Sequence, residues 1–308
     1  MVNKQPYRIK TISEYHKIMD LLKPEHPLIS LINLESLTHF PISNTEPVSL
    51  IFDFYSISLK RNNPAVVEYK YGQQTCDFDE GVLFFMAPNQ VFSIDVKTPQ
   101  KSSGYLLFIH PDFIWNTPLA KNIKQYGFFD YSVHEALFLS EKEETMIINI
   151  LKFIEQEYHA NIDKFSKSVI VAQIELLLNY ADRFFNRQFL TREKANHQIL
   201  DKLEDILTDY FNNDALLKNG FPTVQYIAQR LNVSPNYLSG ILKVLTGKST
   251  QQHLHNKLID MAKEKLSTTD LSISEIAYEL GFEYPQSFSN LFKKKTALSP
   301  LEFRQSFN

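Results

Sequence analysis

The first half of the chain carries short hydrophobic runs in which apolar and polar residues often alternate, a pattern typical of β-strands. The runs are rich in Phe, Tyr, Ile and Val, and turn residues such as Asn62-Asn63-Pro64 separate them. They predict six strands: Leu28–Leu34, Val48–Leu59, Val66–Tyr71, Gly81–Met86, Val91–Val96 and Gly104–Ile109. Many short strands of this kind favour a β-sandwich or a β-barrel, and a short helix at about Ile12–Leu22 is expected before them.

From Ser140 onward the hydrophobic period becomes helical. Ser140 and Glu143 form a capping-box signature ahead of apolar residues at helical spacing. A second helix is predicted over Ser166–Phe185, with the apolar stripe Val169, Ile170, Ile174, Leu177, Leu178, Ala181 and Phe184. These stripes either cover the β-rich part or form a helix-to-helix dimer seam, and periodicity does not choose between the two. Asn186–His197 is polar without an apolar period, which predicts a junction between the two halves.

The C-terminal part contains a duplicated pattern, with one copy starting at Thr223 and the other at Ser272. With one inserted residue in the second copy, the matching positions are Val224 and Ile273, Ile227 and Ile276, Ala228 and Ala277, Leu231 and Leu280, Leu238 and Phe288, Leu242 and Phe292, Lys243 and Lys293, and Thr246 and Thr296. Two copies of one spacing predict two copies of one supersecondary unit.

Each copy has the pattern of a helix-turn-helix. Thr223 and Ser272 stand where a first helix would be capped, and Ala228 and Ala277 are small where a second helix must approach closely. A turn follows, in which Gly281 can adopt the left-handed conformation of a tight helix exit. Each second helix then opens with a proline at a favoured first position: Pro235 and Pro285.

The second helix of each copy leaves a polar outer face. Asn and Gln can read adenine, and Lys can contact guanine or phosphate. The candidate base-reading residues are Asn236, Ser239, Gly240, Lys243, Gln286, Ser287 and Asn290. The candidate phosphate contacts are lysines and residues at helix starts: Lys248, Thr250, Lys293, Lys294, Lys295 and Ser299. A solvated helix face is the alternative for any one of these residues, but two such faces in a repeated scaffold favour DNA.

The connection between the copies is predicted to be one helix over Thr250–Leu266. Its apolar stripe is Leu254, Leu258, Ile259, Ala262 and Leu266. Such a helix would be roughly 25 Å long. It could hold two recognition helices about one DNA turn, roughly 34 Å, apart, so that one chain reads two successive major grooves.

Composition and charge narrow the class of protein. The chain is 44% hydrophobic and 22% charged, which indicates a globular protein. Its net charge is −3, but the residues from Thr223 onward carry ten basic and seven acidic side chains, which permits phosphate contact there. The single cysteine, Cys76, cannot form an internal disulfide and fits a reducing cytosol. Neither a signal peptide nor a membrane span is visible, so we expect a cytoplasmic protein with no membrane partner.

Three stretches of the C-terminal part carry a family signature: Ile276–Phe282, Ser287–Lys294 and Ser299–Arg304. Across about Ile199–Ser306 the chain resembles the DNA-binding domain of the AraC/XylS family of transcriptional regulators. The resemblance implies a double helix-turn-helix domain that binds double-stranded promoter DNA, in a homodimer. It also makes RNA polymerase and a small-molecule effector candidate partners.

Two positions depart from the pattern of the family. Members often carry arginine where this chain has Gly240 and Asn290. The resemblance therefore implies weaker guanine reading, with an adenine-leaning preference through Asn290 and Gln286. A glycine inside a recognition helix also costs about 1 kcal/mol relative to alanine.

The N-terminal half resembles the cupin-like β-barrel sensor domain of the same family, at Tyr71-Gly72 and across Asp79–Val91. Cupin metal sites use a His-x-His pair with later Glu and His ligands, whereas Gly81–Val96 contains no histidine and His110 is isolated. We therefore expect no metal and no other cofactor. The pair His253 and His255 lies on the predicted connecting helix with its members on different faces, so we interpret both as packing or solvent-facing histidines.

Catalytic motifs are missing from the sequence. It has no Gly-x-Ser-x-Gly elbow, no Walker loop and no Gly-x-Gly-x-x-Gly, and one cysteine is too few for an alkylation-repair zinc site. We expect a regulator and not an enzyme. The aromatic residues of the N-terminal half could line a ligand pocket or form an ordinary core. Control by oligomerisation or by a protein partner, without a small molecule, is the alternative.

The predicted architecture is α+β with two domains. Residues 1–138 form a cupin-like β-rich sensor domain, and residues 139–190 form a helical pair that packs or dimerises. Residues 191–198 form a linker. Residues 199–308 form an all-α domain with two helix-turn-helix units joined by a linker helix.

Overall fold

The computed structural model describes residues 6–36, 48–61, 81–94, 103–132, 135–160, 163–212, 216 and 220–306. The chain divides into two compact units, with the boundary between Gln188 and Phe189. The N-terminal unit contains strands and helices, and the described part of the C-terminal unit is helical. The predicted mixed class with a helical C-terminal part is confirmed.

Eight strands lie in the described part of the N-terminal unit: β1 (Tyr7–Ile9), β2 (Ile29–Asn33), β3 (Val48–Phe52), β4 (Tyr55–Arg61), β5 (Gly81–Met86), β6 (Val91–Ile94), β7 (Ser103–Ile109) and β8 (Leu137–Leu139). They form a three-stranded sheet in the order β1-β3-β6 and a five-stranded sheet in the order β2-β7-β4-β5-β8. β1 is parallel to β3, and the other pairs are antiparallel. Neither sheet closes into a barrel within the described ranges, so the cupin-like barrel stays a prediction from the resemblance.

The predicted strand over Val48–Leu59 is wrong as a single element. The chain breaks at Asp53, whose backbone N–H donates to the Ile9 carbonyl oxygen at 3.2 Å. Phe54 follows it and is completely buried. A core phenylalanine at the break keeps the run apolar and hides the turn from the pattern. The predicted strand over Val66–Tyr71 lies outside the described residues, as does the first part of the cupin-like stretch.

The α-helices in the described part of the N-terminal unit are α1 (Ile12–Ile18), α2 (Pro111–Ile114), α3 (Pro118–Asn122), α4 (Glu141–Tyr158) and α5 (Ser166–Thr191), of which α5 continues past the unit boundary. The predicted capping box of Ser140 and Glu143 is present at the start of α4. The stripe predicted for α5 is buried at Ile170, Ile174, Leu177, Leu178, Ala181 and Phe184, whereas Val169 is 40% exposed. Most of that stripe therefore belongs to the core of the unit.

The predicted linker at 191–198 is helical for most of its length. α5 ends at Thr191, and α6 (Glu193–Asn212) begins two residues later. One polar side chain here makes an internal hydrogen bond: buried Asn196 donates from its side-chain amide to the Phe189 carbonyl oxygen at 2.5 Å. A polar composition therefore does not mark a loop at this junction.

The C-terminal unit continues after α6 with α7 (Val224–Leu231), α8 (Pro235–Thr246), α9 (Thr250–Thr268), α10 (Ile273–Glu279), α11 (Pro285–Thr296) and α12 (Pro300–Gln305). One continuous apolar cluster joins them, with Leu207, Leu238, Leu258, Ile276 and Phe288 nearly or completely buried. None of the helices in the described part of the chain combines the length and the apolar character that a membrane crossing requires.

Candidate nucleic-acid interface

The first helix-turn-helix consists of α7 and α8. The Thr223 hydroxyl accepts a hydrogen bond from the Tyr226 backbone N–H at 3.1 Å and caps α7. Asn232 ends α7 in the left-handed conformation, with φ at 56°. The Ser234 hydroxyl then accepts from the Tyr237 N–H at 3.2 Å, and Pro235 opens α8. Successive local signals thus stop one helix and start the next within three residues.

The second helix-turn-helix consists of α10 and α11. Ser272 and Glu275 form a capping box at the start of α10. Gly281 has φ at +79°, which confirms the predicted left-handed exit. Pro285 opens α11 as predicted, although the capping residue before it, Tyr284, makes no side-chain hydrogen bond to the helix. The second turn therefore lacks this side-chain cap but shares a backbone contact with the first: the Phe282 N–H donates to the Ala277 carbonyl oxygen at 2.9 Å, as the Val233 N–H does to the Ala228 carbonyl oxygen at 3.0 Å.

The matched apolar positions of the two copies face one shared core. Ala228 and Ala277 are both completely buried, as predicted for positions of close helix approach. The matched pairs on the second helices, Leu238 with Phe288 and Leu242 with Phe292, are also completely buried. Because these side chains point inward, the opposite sides of α8 and α11 are left to polar residues.

The connecting helix α9 runs from Thr250 to Thr268, two residues beyond the predicted end. Its start carries a capping box of Ser249 and Gln252. All the predicted stripe residues are buried: Leu254, Leu258, Ile259, Ala262 and Leu266. At 1.5 Å per residue, α9 is about 28 Å long. The prediction of one continuous connecting helix is confirmed.

The candidate base-reading residues lie mostly at the surface. On α8, Asn236 and Lys243 are exposed, while Ser239 and Gly240 are partly buried. On α11, the exposed candidates are Gln286, Ser287 and Asn290. Each helix therefore presents an amide side chain and at least one lysine on its open side, since Lys293 is exposed as well.

The candidate phosphate contacts divide into two groups. The lysines Lys248, Lys293, Lys294 and Lys295 are all exposed. Ser299 caps α12 and accepts from the Glu302 N–H at 3.2 Å. Thr250 is different, because it is only 1% exposed and its hydroxyl lies 3.0 Å from the Ser239 hydroxyl. The Thr250 hydroxyl therefore joins two helices inside the unit. A phosphate contact at this helix start stays a prediction for the backbone N–H.

Two histidines of α9 occupy separate places. His253 Nε2 lies 2.8 Å from the Thr246 hydroxyl, and the His255 ring packs against the Phe221 ring with centroids 5.9 Å apart. Burial, followed by the charge of nearby lysines, lowers the pKa of both imidazoles. Both rings therefore contact other residues of the same unit. Within the described ranges, no group of three or more His, Cys, Asp or Glu side chains is arranged to hold a metal ion.

Sequence reasoning missed two exposed tyrosines beside the second unit. Tyr278 on α10 is 54% exposed, and Tyr284 at the start of α11 is 62% exposed. The signal at Tyr284 was available, because Thr or Ser caps the other helices of this unit from α7 to α12. The Tyr284 side chain does not cap its own helix and lies at the protein surface.

Comparisons with known proteins identify a helix-turn-helix domain within the C-terminal unit. A family model described as a helix-turn-helix domain matches residues 227–306. The uncharacterized HTH-type transcriptional regulator YtdP of Bacillus subtilis (strain 168) is 37% identical over 83 residues, which are 27% of this chain and 11% of the relative. The arabinose operon regulatory protein of Escherichia coli (strain K12) is 30% identical over 129 residues, 42% of this chain and 44% of the relative.

Among solved structures, the C-terminal domain of AraT, a response regulator from Geobacillus stearothermophilus, is similar to this chain. It is 31% identical, covers 35% of this chain and 84% of that chain, and has a TM-score of 0.31. The matches span between 11% and 30% of the length of the first three curated relatives. The chain carries an AraC-type helix-turn-helix domain, and the relatives to which it is similar include the arabinose operon regulatory protein.

Proposed function

We propose that the protein is a sequence-specific, DNA-binding transcriptional regulator. The observation that carries the proposal is the repeated exposure of a polar face on α8 and on α11, with α9 between them in the chain. The length of α9, about 28 Å, is close to the roughly 34 Å between successive major grooves. One chain would then place one recognition helix in each groove.

The proposed base contacts come from both recognition helices. Asn236 and Lys243 serve the first helix, and Gln286, Ser287 and Asn290 serve the second. Because amides pair with adenine and no arginine stands on either face, the preferred sites would be richer in A·T than in G·C at the contacted positions. Lys248, Lys293, Lys294 and Lys295 would hold the phosphate backbone, which carries affinity more than sequence preference.

Selection from a library of short random duplexes with the full-length protein, at two salt concentrations, tests this proposal. We expect a motif of two boxes about one helical turn apart, and binding that weakens steeply as salt rises. A motif with a single box would contradict the proposal that one chain uses two recognition helices. Binding without any motif, lost at moderate salt, would contradict sequence-specific regulation by the protein in that state.

For the N-terminal unit, we propose that it receives the signal, in the form of a small-molecule effector. An effector has to favour one state of the protein over the other in order to change DNA binding. The aromatic core of the unit, in which Tyr15, Phe52 and Phe108 meet edge to face, is the kind of apolar environment such ligands occupy. RNA polymerase stays a further candidate partner.

The second candidate is control by dimerisation, and one observation favours it. The outer side of α5 carries an exposed apolar stripe at Phe165, Val169, Ala172 and Leu176, with Phe165 58% and Leu176 43% exposed. The first of these residues directly precedes α5, and the spacing of four, three and four is that of a coiled-coil seam. A second copy of this chain could cover the stripe with its own.

Sedimentation of the full-length protein tests the dimer. Val169→Lys and Leu176→Lys place charges on the stripe, so we expect both to shift a dimer toward monomer. Gln156→Lys adds the same charge at an exposed position of another helix, α4, and should leave the dimer intact. A wild-type protein that sediments as a monomer at micromolar concentration would contradict the proposal.

A further inference from the structure

The central strand of the five-stranded sheet has an unusual composition on one side. Side chains alternate between the two faces of a strand, so Ser56, Ser58 and Lys60 of β4 share one face. The opposite face carries Tyr55, Ile57 and Leu59, which are all buried and apolar or aromatic. Such alternation is ordinary where one face of an antiparallel sheet meets solvent, but the strands beside β4 carry apolar residues on this face. We call the three residues Ser56, Ser58 and Lys60 the β4 polar face.

Apolar residues flank the β4 polar face on both sides. The register places Ser58 opposite Phe84 of β5 and opposite Leu106 of β7. Lys60 stands opposite Val82 and Gly104 in the next row. Gly104 has no side chain with which to fill the place beside Lys60. The β4 polar face is therefore a row of polar side chains with apolar residues on both sides.

The apolar residues on the two sides of the β4 polar face belong to separate apolar clusters. Leu106 and Phe108 belong to the core that includes Tyr15 and Phe54, and Met86 packs against it. Val82 belongs to a smaller cluster with Phe138, against which Phe84 packs. Ser58 and Lys60 lie between these clusters, and Phe84, Ser58 and Lys60 are all only partly buried. Packing among the described residues therefore does not fully cover the β4 polar face.

The ammonium group of Lys60 has an apolar setting. Its Nζ lies 5.4 Å from the centroid of the Phe84 ring, within reach of a cation–π contact. Among the described residues it has no carboxylate partner, and burial lowers its pKa. The neighbouring residue on the other face, Arg61, is paired: its Nε lies 2.6 Å from Glu144 Oε1. A partly buried cation without a counter-charge costs free energy, which an anionic ligand would offset.

We infer that the β4 polar face binds a small organic anion, with its charged group on Lys60 Nζ and its apolar body against Phe84 and Leu106. The Ser58 hydroxyl can donate to a polar atom of the same ligand. A carboxylate, sulfonate or phosphate would meet the charge requirement, since Lys acts toward each as a point charge. This inference rests on the proposed role of the N-terminal unit as the receiver of a small-molecule signal and names the chemical class of that molecule.

The experiment compares two fluorescent probes with the same ring system on the full-length protein. Anilinonaphthalene sulfonate is an anion, and N-phenylnaphthylamine is its neutral counterpart. We expect the wild-type protein to bind the anion more tightly. Lys60→Met, which keeps the length and removes the charge, should weaken binding of the anion by about tenfold or more and leave the neutral probe unchanged. Lys60→Arg, which keeps the charge, should retain binding.

Two outcomes overturn the inference. One is equal affinity of wild type and Lys60→Met for the anion, and the other is equal affinity of the wild type for both probes. Folding is monitored by thermal denaturation, where Lys60→Met should be at least as stable as wild type because it removes an unpaired charge from an apolar setting. The same variant is tested on the selected DNA duplex. If the wild type binds the DNA motif but does not bind the anion, only this inference is contradicted. If the wild type does not bind the motif, the proposed function is contradicted.

Discussion

The hydroxyl groups of Ser239 and Thr250 lie 3.0 Å apart and join the recognition helix α8 to the start of the connecting helix α9. Thr250 is 1% exposed, so water does not compete for this hydrogen bond. The contact links α8 to α9 across the turn at Gly247, where φ is +72°. Ser239 therefore belongs to the frame of the first unit as well as to its candidate reading face.

We expect Thr250→Val to lower the free energy of unfolding by about 1 kcal/mol, because it removes one buried hydrogen bond and nearly keeps the volume. Ser239→Ala should cost a similar amount. The double variant should cost clearly less than the two single costs together, since both changes remove the same contact. Urea denaturation of the four proteins measures this cycle, and strict additivity would show that the two hydroxyls do not interact.

Substitutions of Lys293 and Asn290 should change DNA binding in different ways. Lys293→Ala should weaken binding to all sequences and lower the salt slope by about one, because it removes a phosphate contact. Asn290→Ala should relax the preference at one base pair by about 1–3 kcal/mol. Titration of a selected duplex and of its single-base variants at several salt concentrations separates the two effects. If Asn290→Ala left affinity and preference unchanged, the assignment of the α11 face would be wrong.

Gly281→Ala should destabilise the C-terminal unit for two reasons. The position has φ at +79°, and an added Cβ would lie 3.2 Å from Leu216 Cδ1. Gly247→Ala is the matched control, because φ is +72° there and no atom lies within 4 Å of the added Cβ. We expect backbone strain to lower the free energy of unfolding by about 1 kcal/mol in Gly247→Ala, and we expect a larger decrease in Gly281→Ala. Equal losses in thermal denaturation would show that Leu216 moves aside freely.

The capping box at Ser272 should make stability depend on pH. Hydrogen bonds from the backbone and side chain of Ser272 hold the pKa of Glu275 below its ordinary value of 4.5. A carboxyl group with a lowered folded-state pKa stabilises the fold above its unfolded pKa and loses that contribution as pH falls through the folded one. Thermal denaturation between pH 7 and pH 3 should therefore show a smaller acid-induced loss of stability in Glu275→Gln, which removes the titrating carboxyl group, than in wild type. Parallel curves would contradict this coupling.

Local signals predicted the C-terminal unit well. Thr223 and Ser272 cap helices as predicted, because capping depends on a side chain and the backbone three residues away. The positions of Ala228 and Ala277 followed from the spacing of the repeat. The N-terminal unit was harder: the break at Asp53 was missed because buried Phe54 continues the apolar run. Strands of three residues, such as β1 and β8, are too short to show a period.

The sequence by itself determined the double helix-turn-helix, its caps, its connecting helix and the positions of its exposed polar residues, because all of these depend on residues near one another in the chain. Only the tertiary structure decided that the Thr250 hydroxyl is buried against Ser239, since burial depends on packing between helices. It also decided the strand order that places Lys60 between Val82 and Gly104. Strand pairing joins residues far apart in the chain, and periodicity within a single strand carries no information about its neighbours.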